Sequence, residues 1–211
     1  MPVERHWTKS AKHCSRVSHK TSQSKDNPLL TKNSIEEFLS RLALIPLAQI
    51  PNPQSLIDTF VCTKNEDLET FLHDKAIDFG KRGTSKTHLL INDETIVGYY
   101  TLSMKPILTE GISREVIKKI DGFSKNRKCI YFYLIGQLGL HDDYIGKGIG
   151  EFLLFNAIEM IERSHALIGG RYILVDAYAS EPVIDFYERN GFTRLVTQED
   201  NPTSIKMIYK I

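Results

Sequence analysis

The sequence has no long run of apolar residues, and this excludes a helix that could span a membrane. The best candidate, the stretch from Leu42 to Ile50, is interrupted by Pro46 and Gln49, whereas a spanning helix needs about 20 mostly apolar residues in succession. The apolar segment of a secretory signal is also missing near the N-terminus. We therefore expect a cytoplasmic protein that does not bind a membrane.

Cysteine is scarce as well. The three cysteines, Cys14, Cys62 and Cys129, are odd in number and widely spaced, so they predict no disulfide framework and fit a reducing compartment. His13, Cys14 and His19 are close in the sequence, but their spacing matches no standard metal site. We therefore predict that the protein binds no metal ion.

Extreme composition is absent too, and the charges are unevenly distributed. With 41 % apolar and 25 % charged residues, the 211-residue chain is neither disordered throughout nor fibrous, and its length suits one domain. Residues 1–27 carry six basic and two acidic side chains, whereas the other 184 residues carry 21 basic and 24 acidic ones. Because 1–27 has hardly any large apolar side chain, it is predicted to be a flexible basic tail, either a nucleic-acid tether or a solvated leader. We expect a helix and proline-containing connector over 28–53 and one folded domain over 54–211.

Capping signals and apolar periodicity divide the rest of the chain into alternating helices and strands. Ser34 and Glu37 form a capping box that predicts a first helix, and a second helix is predicted to follow Asn65 and to end at Gly80. Two β-rich runs around Asn92 predict a hairpin. The later elements are predicted to be a helix over 113–120, a strand over 129–140, a helix from Ile149, a strand over 172–178, a helix over 183–189 ended by Gly191, and a final strand over 205–210. This order predicts a mixed sheet with helices on both faces.

The segment between the strand ending at Leu140 and the helix starting at Ile149 points to a ligand. It contains Gly146, Gly148 and Gly150, and glycines let a backbone approach a ligand closely and leave the first N–H groups of a helix unobstructed. Those N–H groups and the positive end of the helix dipole form a site suited to a phosphate or pyrophosphate. The alternative is that the glycines serve only a tight turn.

Two familiar phosphate loops do not match this segment. A Rossmann turn would need its third glycine where Glu151 or Leu153 stands, and a P-loop would need Ser or Thr directly after Lys147. The observed order of a strand, G-x-G-x-G and a helix resembles the acetyl-CoA pyrophosphate loop of the GNAT acetyltransferases. Leu138-Gly139-Leu140, Phe152-Leu153-Leu154 and the stretch from Phe186 to Phe192 are also similar to that superfamily.

This resemblance implies a GNAT fold, an α/β (α+β) structure whose mixed central sheet has helices on both faces and a strand splay at the acetyl-CoA site. It implies an N-acetyltransferase that moves an acetyl group from acetyl-CoA to a primary amine by direct attack, with Tyr187 in the position of the general acid. The chain departs from the family at Ile145, where Gln or Arg is frequent, so one side-chain contact to the phosphates would be lost. The implied cofactor-binding residues are Leu138, Gly139, Leu140, Ile145, Gly146, Lys147, Gly148, Ile149, Gly150, Glu151 and Ser180.

Upstream segments resemble one branch of this superfamily more narrowly. Phe60-Val61-Cys62, the helix from Leu68 to Ala76 and the stretch from Val97 to Ser103 are similar to the acetyltransferase toxins of bacterial toxin–antitoxin pairs, which acetylate the amino group of aminoacyl-tRNA. The resemblance therefore implies aminoacyl-tRNA as a candidate acceptor and an antitoxin as a candidate partner, and it leaves a homodimer open. The small excess of acidic over basic side chains in residues 28–211 argues against a broad RNA-binding surface. A local patch could still serve, formed by Lys75, Lys81, Arg82 and Lys86.

The strand over 129–140 contains no carboxylate, and this absence bears on the acceptor. His141, Asp142 and Asp143 follow on the predicted loop and are interpreted as structural. Without a strong base, an α-amino group of pKa about 7.8, roughly a tenth neutral at pH 7, is favoured over a lysine amine of pKa about 10.4. A small-molecule amine, a protein N-terminus and aminoacyl-tRNA remain open as acceptors, and a non-catalytic acyl-CoA-binding regulatory module is the alternative outside the enzymes.

Overall fold

The computed structural model describes residues 32–197 and 203–211, and these form a seven-stranded sheet in the order β1-β2-β3-β4-β5-β7-β6. The predicted basic tail over 1–27 lies outside the described residues. Among the strand pairs of the described residues, β4 and β5 are parallel and the others are antiparallel. In the described part of the chain, no helix is long and apolar enough to cross a bilayer. The strands are β1 Ala43–Pro46, β2 Lys86–Asn92, β3 Thr95–Leu108, β4 Cys129–Leu140, β5 Tyr172–Tyr178, β6 Thr193–Arg194 and β7 Ser204–Lys210.

Helices cover both faces of this sheet. Along β2, Leu89 packs with Phe60 and Leu72 on one face, and Leu90 packs with Leu153 on the other, because successive side chains of a strand point in opposite directions. A π-helical turn over Phe71–Lys75 joins α3 to α4. The helices are α1 Lys32–Arg41, α2 Gln54–Ile57, α3 Glu66–Thr70, α4 Ala76–Arg82, α5 Arg114–Asp121, α6 Ile149–Ile168 and α7 Glu181–Arg189. The predicted mixed sheet with two covered faces is therefore confirmed.

Strands β4 and β5 have the bounds that the sequence predicts, whereas some helix ends differ. The second helix does not end at Gly80 but continues to Arg82, and Gly83 ends it with a φ of 72°. Gly80 is compatible with the helix, and its carbonyl accepts a hydrogen bond from the N–H of Gly83 at 3.2 Å. The first helix begins at Lys32 rather than at the predicted capping box. Helix α7 begins at Glu181 rather than Val183.

Two short edge strands have no clear signal in the sequence. β1 has four residues and pairs only with β2, and β6 has two residues and pairs only with β7. β1 falls inside the segment that is expected to be a connector. That expectation takes Pro46 as a residue that interrupts regular structure. Proline is nevertheless tolerated on an edge strand, where its missing N–H is not needed by a second neighbour.

Two adjacent tyrosines in β3 are fully buried but differ in their hydrogen bonds. The hydroxyl of Tyr99 donates to the carbonyl of Leu68 at 2.7 Å and so ties β3 to α3. The hydroxyl of Tyr100 is sealed from solvent and has no hydrogen-bond partner among the described residues. A buried hydroxyl stabilises a fold only when it is paired.

We predict opposite effects when each hydroxyl is removed. Tyr99→Phe should destabilise the fold by about 1 kcal/mol because a hydrogen bond is lost, whereas Tyr100→Phe should be neutral or slightly stabilising. Urea unfolding of both variants beside the wild type measures this difference. An equal loss of stability in the two variants would show that the Tyr100 hydroxyl is paired in solution.

Candidate active site

The parallel strands β4 and β5 pair over only three residues and then part. Tyr133, Leu134 and Ile135 pair with Ile173, Leu174 and Val175, while β4 continues to Leu140 beside β3 alone. The β4 backbone beyond Ile135 therefore has no β5 neighbour to satisfy one set of its N–H and C=O groups. The expected strand splay is present, and it leaves the edge of β4 that contains Leu138, Gly139 and Leu140 without a β5 neighbour.

A bulge at Gly136 marks the point where the strands part. The register between β3 and β4 shifts between Thr101 and Leu102, and the N–H of Gln137 donates to the hydroxyl of Thr101 at 2.9 Å instead of to a backbone carbonyl. A Cβ on Gly136 would lie 3.0 Å from that hydroxyl. Bulges bend a strand and increase its local twist, which turns the end of β4 away from β5.

The glycine segment forms an exposed loop at the end of β4. Gly146 and Gly148 have φ angles of 79° and 75°, which are left-handed, although a Cβ at either position would meet nothing within 4 Å. Here glycine is required by the backbone conformation and not by crowding. A Cβ on Gly150 would lie 3.4 Å from Leu140, which places the third glycine against the end of β4.

The loop leads directly into the N-terminus of α6. Gly148 is the N-cap residue, and no side chain of the described part of the chain caps the helix. The first N–H groups of an α-helix have no partner within the helix, so those of Ile149, Gly150 and Glu151 are available to a ligand. The loop and the helix start fit an anionic group such as a pyrophosphate.

An aromatic stack supports this loop from the side of α1. Tyr144 stacks on Phe38 with ring centroids 5.7 Å apart, and the ammonium of Lys147 lies 5.3 Å from the centre of the Tyr144 ring. A cation over an aromatic ring contributes about 0.5–1 kcal/mol at exposed sites. Sequence reasoning missed Phe38 and Tyr144, whose contact joins elements that are far apart in the chain.

Tyr187 lies in α7 with its side chain in the core on the α6 face of the sheet. It is 8 % exposed and packs edge-on against Phe186 and Phe192, with ring centroids 5.1 and 5.3 Å away. No hydrogen-bond partner for its hydroxyl is found within the described ranges, and burial raises the pKa of the phenol above its ordinary value. Tyr187 therefore keeps its proton throughout the neutral range.

Comparison with known protein families identifies the family that has this combination of loop, parted strands and helix. The model of the acetyltransferase (GNAT) family matches residues 54–192, about two thirds of the chain. The chain belongs to the GNAT acetyltransferase family. It is therefore an acetyl-CoA-dependent N-acetyltransferase, and acetyl-CoA is its co-substrate.

Solved structures with the same fold include bacterial toxin acetyltransferases. AtaT complexed with acetyl-methionyl-tRNAfMet is 22 % identical to this acetyltransferase, over 78 % of this chain and 93 % of that chain, with a TM-score of 0.64. A tyrosine-to-phenylalanine mutant of AtaT, bound to the C-terminus of the antitoxin AtaR and acetyl-CoA, is 20 % identical over 80 % and 92 %, with a TM-score of 0.61. A tyrosine-to-phenylalanine mutant of KacT is 24 % identical over 81 % and 95 %, with a TM-score of 0.65. A search of curated proteins found no match.

In this acetyltransferase the residues expected to bind the coenzyme fall into two groups. Ile145 to Glu151 form the loop and the helix start, and Leu138 to Leu140 form the open edge of β4. Ser180 is the N-cap residue of α7, with its side chain making no capping hydrogen bond. These two groups are close in the sequence. Ser180 and Tyr187 belong to the segment that follows β5, the strand on the other side of the parting.

The polar residues at the end of β4 hold the loops together. Asp142 accepts hydrogen bonds from the N–H and the hydroxyl of Thr63 at 3.1 and 2.6 Å, and these bonds lower the pKa of the Asp142 carboxyl. His141 is buried, and its Nδ1 accepts the N–H of Asp143 at 3.1 Å. Since Oδ2 of Asp142 already has two partners on Thr63 and the carboxyl pKa is lowered, Asp142 is a weak base, and the geometry agrees with a structural role.

Proposed function

We propose that the loop from Ile145 to Glu151 binds the pyrophosphate of acetyl-CoA and that the open edge of β4 binds its pantetheine arm. The uncapped start of α6 supports the first part, because its free N–H groups match the oxygens of a diphosphate. The unpaired β4 backbone over Leu138 to Leu140 supports the second, since it can pair with the amides of the arm. Lys147 adds a positive charge to the loop, and Ser180 contacts the cofactor from α7.

We also propose that Tyr187 is the general acid. Acetyl-CoA supplies the acetyl group as a thioester, and Tyr187 gives its phenolic proton to the sulfur as the C–S bond breaks and the new C–N bond forms. The amine nitrogen loses one proton to solvent, and a solvent proton then restores Tyr187. Burial raises the pKa of the phenol, and the same dry surroundings raise the pKa of the departing thiol. Because both pKa values shift in the same direction, burial does not prevent proton transfer from the phenol to the sulfur.

The acceptor that the site supports best is an α-amino group, with aminoacyl-tRNA as the specific proposal. The carboxylate of Asp142 is already hydrogen-bonded and its pKa is lowered, so an amine that is partly neutral at pH 7 is favoured. The upstream resemblance to the toxin branch supports the RNA-linked form of this amine, and an antitoxin is the corresponding protein partner. Four exposed basic side chains could contact RNA phosphates: Lys75 on the π-helical turn, Lys81 and Arg82 on α4, and Lys86 on β2. A homodimer stays a prediction.

The glycine loop gives the first test. Gly148→Ala should destabilise the fold by roughly 1–2 kcal/mol because a left-handed residue then carries a Cβ, and it should weaken acetyl-CoA binding about ten-fold because the loop amides move. Gly83→Ala is the matched control, since Gly83 has a φ of 72° and open space around it but lies at the end of α4. Calorimetric titration with acetyl-CoA, with urea unfolding beside it, separates the two effects. Equal acetyl-CoA affinity in both variants would exclude the loop from the site.

Removing one hydroxyl tests the general acid. Tyr187→Phe should lower kcat by about 100-fold or more, the usual contribution of a positioned acid, while the dissociation constant of acetyl-CoA stays the same. Release of the free thiol measures turnover, and calorimetry measures binding. Tyr100→Phe removes a buried tyrosine hydroxyl outside the site and should keep full turnover. If Tyr187→Phe is as active as the wild type, the leaving thiolate takes its proton from another source.

The acceptor class can be identified without prior assumptions. Purified protein incubated with labelled acetyl-CoA and total cell lysate should place label in the RNA fraction, and mild alkali should release it because aminoacyl esters hydrolyse. Label confined to protein or to small metabolites would contradict the RNA proposal and identify the acceptor. Binding of acetyl-CoA without any transfer would favour the non-catalytic regulatory module.

A further inference from the structure

An ion pair across β4 joins strands β3 and β5, with its acidic member at the place where β4 and β5 part. The Nζ atom of Lys105, on β3, lies 2.5 Å from Oδ2 of Asp176, on β5, so the pair spans the intervening strand β4. Both side chains are about one third exposed. Asp176 directly follows Val175, the last residue of β5 that pairs with β4. The carboxylate therefore stands at the edge of the parting.

Asp176 and Tyr187 lie on opposite faces of the sheet. Leu174, two residues before Asp176 and thus on its face, belongs to the core under α5, whereas Val175 shares a core with Tyr187. Continuing the β4–β5 register by one residue places Gly136 of β4, which is exposed and has no side chain, level with Asp176. An acetyl thioester lying in the parting would have the phenol of Tyr187 on one side and the carboxylate of Asp176 on the other.

We propose that Asp176 binds the amine of the acceptor and that Lys105 occupies its place when no acceptor is bound. The lysine side chain ends in a primary ammonium, which is the group that a primary-amine acceptor brings. An ion pair this exposed is weak, so an incoming ammonium can displace Lys105. This inference depends on the proposed function, since it assigns the acceptor side of the same reaction.

The position of Asp176 also explains why sequence reasoning placed no carboxylate beside the end of β4. The carboxylate comes from the neighbouring strand, and only the parallel pairing of Ile135 with Val175 brings it beside Gly136. The bound ammonium first loses one proton to solvent, and Asp176 then accepts a hydrogen bond from the neutral amine and directs its lone pair towards the thioester carbon. Asp176 takes no proton itself, and the second proton that the nitrogen loses as the C–N bond forms also passes to solvent.

Two variants with opposite expected effects test the proposal. Asp176→Asn should lower kcat/KM for total aminoacyl-tRNA about ten-fold or more, mainly through KM, because a charge-assisted hydrogen bond to the amine is lost. Lys105→Met should raise kcat/KM, mainly by lowering KM for the acceptor, because it frees the carboxylate for the acceptor. Both variants should bind acetyl-CoA like the wild type. The assay is label transfer from acetyl-CoA at subsaturating aminoacyl-tRNA.

Lys206 provides the matched control for charge. It pairs with Asp176 in the β5–β7 register, yet it forms no ion pair with that carboxylate. Lys206→Met removes the same charge as Lys105→Met without releasing Asp176, so it should not raise kcat/KM.

The outcomes distinguish this inference from the proposed function. If Asp176→Asn and Lys105→Met lose activity and stability together, the ion pair is only structural and the inference is overturned. If the wild type itself transfers no label to aminoacyl-tRNA, the proposed acceptor fails, and the acceptor role of Asp176 fails with it. An increase in KM for the acceptor with Asp176→Asn alone, at unchanged acetyl-CoA affinity, supports the inference.

Discussion

The parting of β4 from β5 after three paired residues is the constraint on which the site depends. A fully paired β4 would have no free backbone edge, and the loop ending at Gly148 would not stand beside an open groove. The bulge at Gly136, held by the hydroxyl of Thr101, redirects the strand at this point. The buried halves of both strands remain in the core, so the fold keeps its stability while one end of the sheet is open.

In the proposed mechanism, groups with complementary tasks lie around this opening. The start of α6 offers N–H groups to an anion, and Tyr187, buried on the α6 face, is the proposed proton donor. Asp176 stands on the opposite face next to Lys105. Each group is on a different element, so the geometry of the reaction is set by the packing of the sheet rather than by any single loop.

Local sequence signals predicted the parts of this structure that local physics controls. β4 and β5 are mostly apolar and have the predicted bounds, and Gly146 and Gly148 are glycines because of their own φ angles. The end of α4 was placed wrongly, since both Gly80 and Gly83 are suited to end a helix and only packing selects between them. The contact of Phe38 with Tyr144 and that of Lys105 with Asp176 join distant segments. No periodicity within one segment could have indicated them.

The central claim is that backbone amides where the loop enters α6 bind the diphosphate of acetyl-CoA. The most direct measurement is a titration of ¹⁵N-labelled protein with acetyl-CoA, followed by the amide resonances. The account predicts the largest shifts at Gly146, Gly148 and Gly150, with further shifts along Leu138 to Leu140. Saturable binding that leaves these resonances unchanged and shifts amides elsewhere would contradict it.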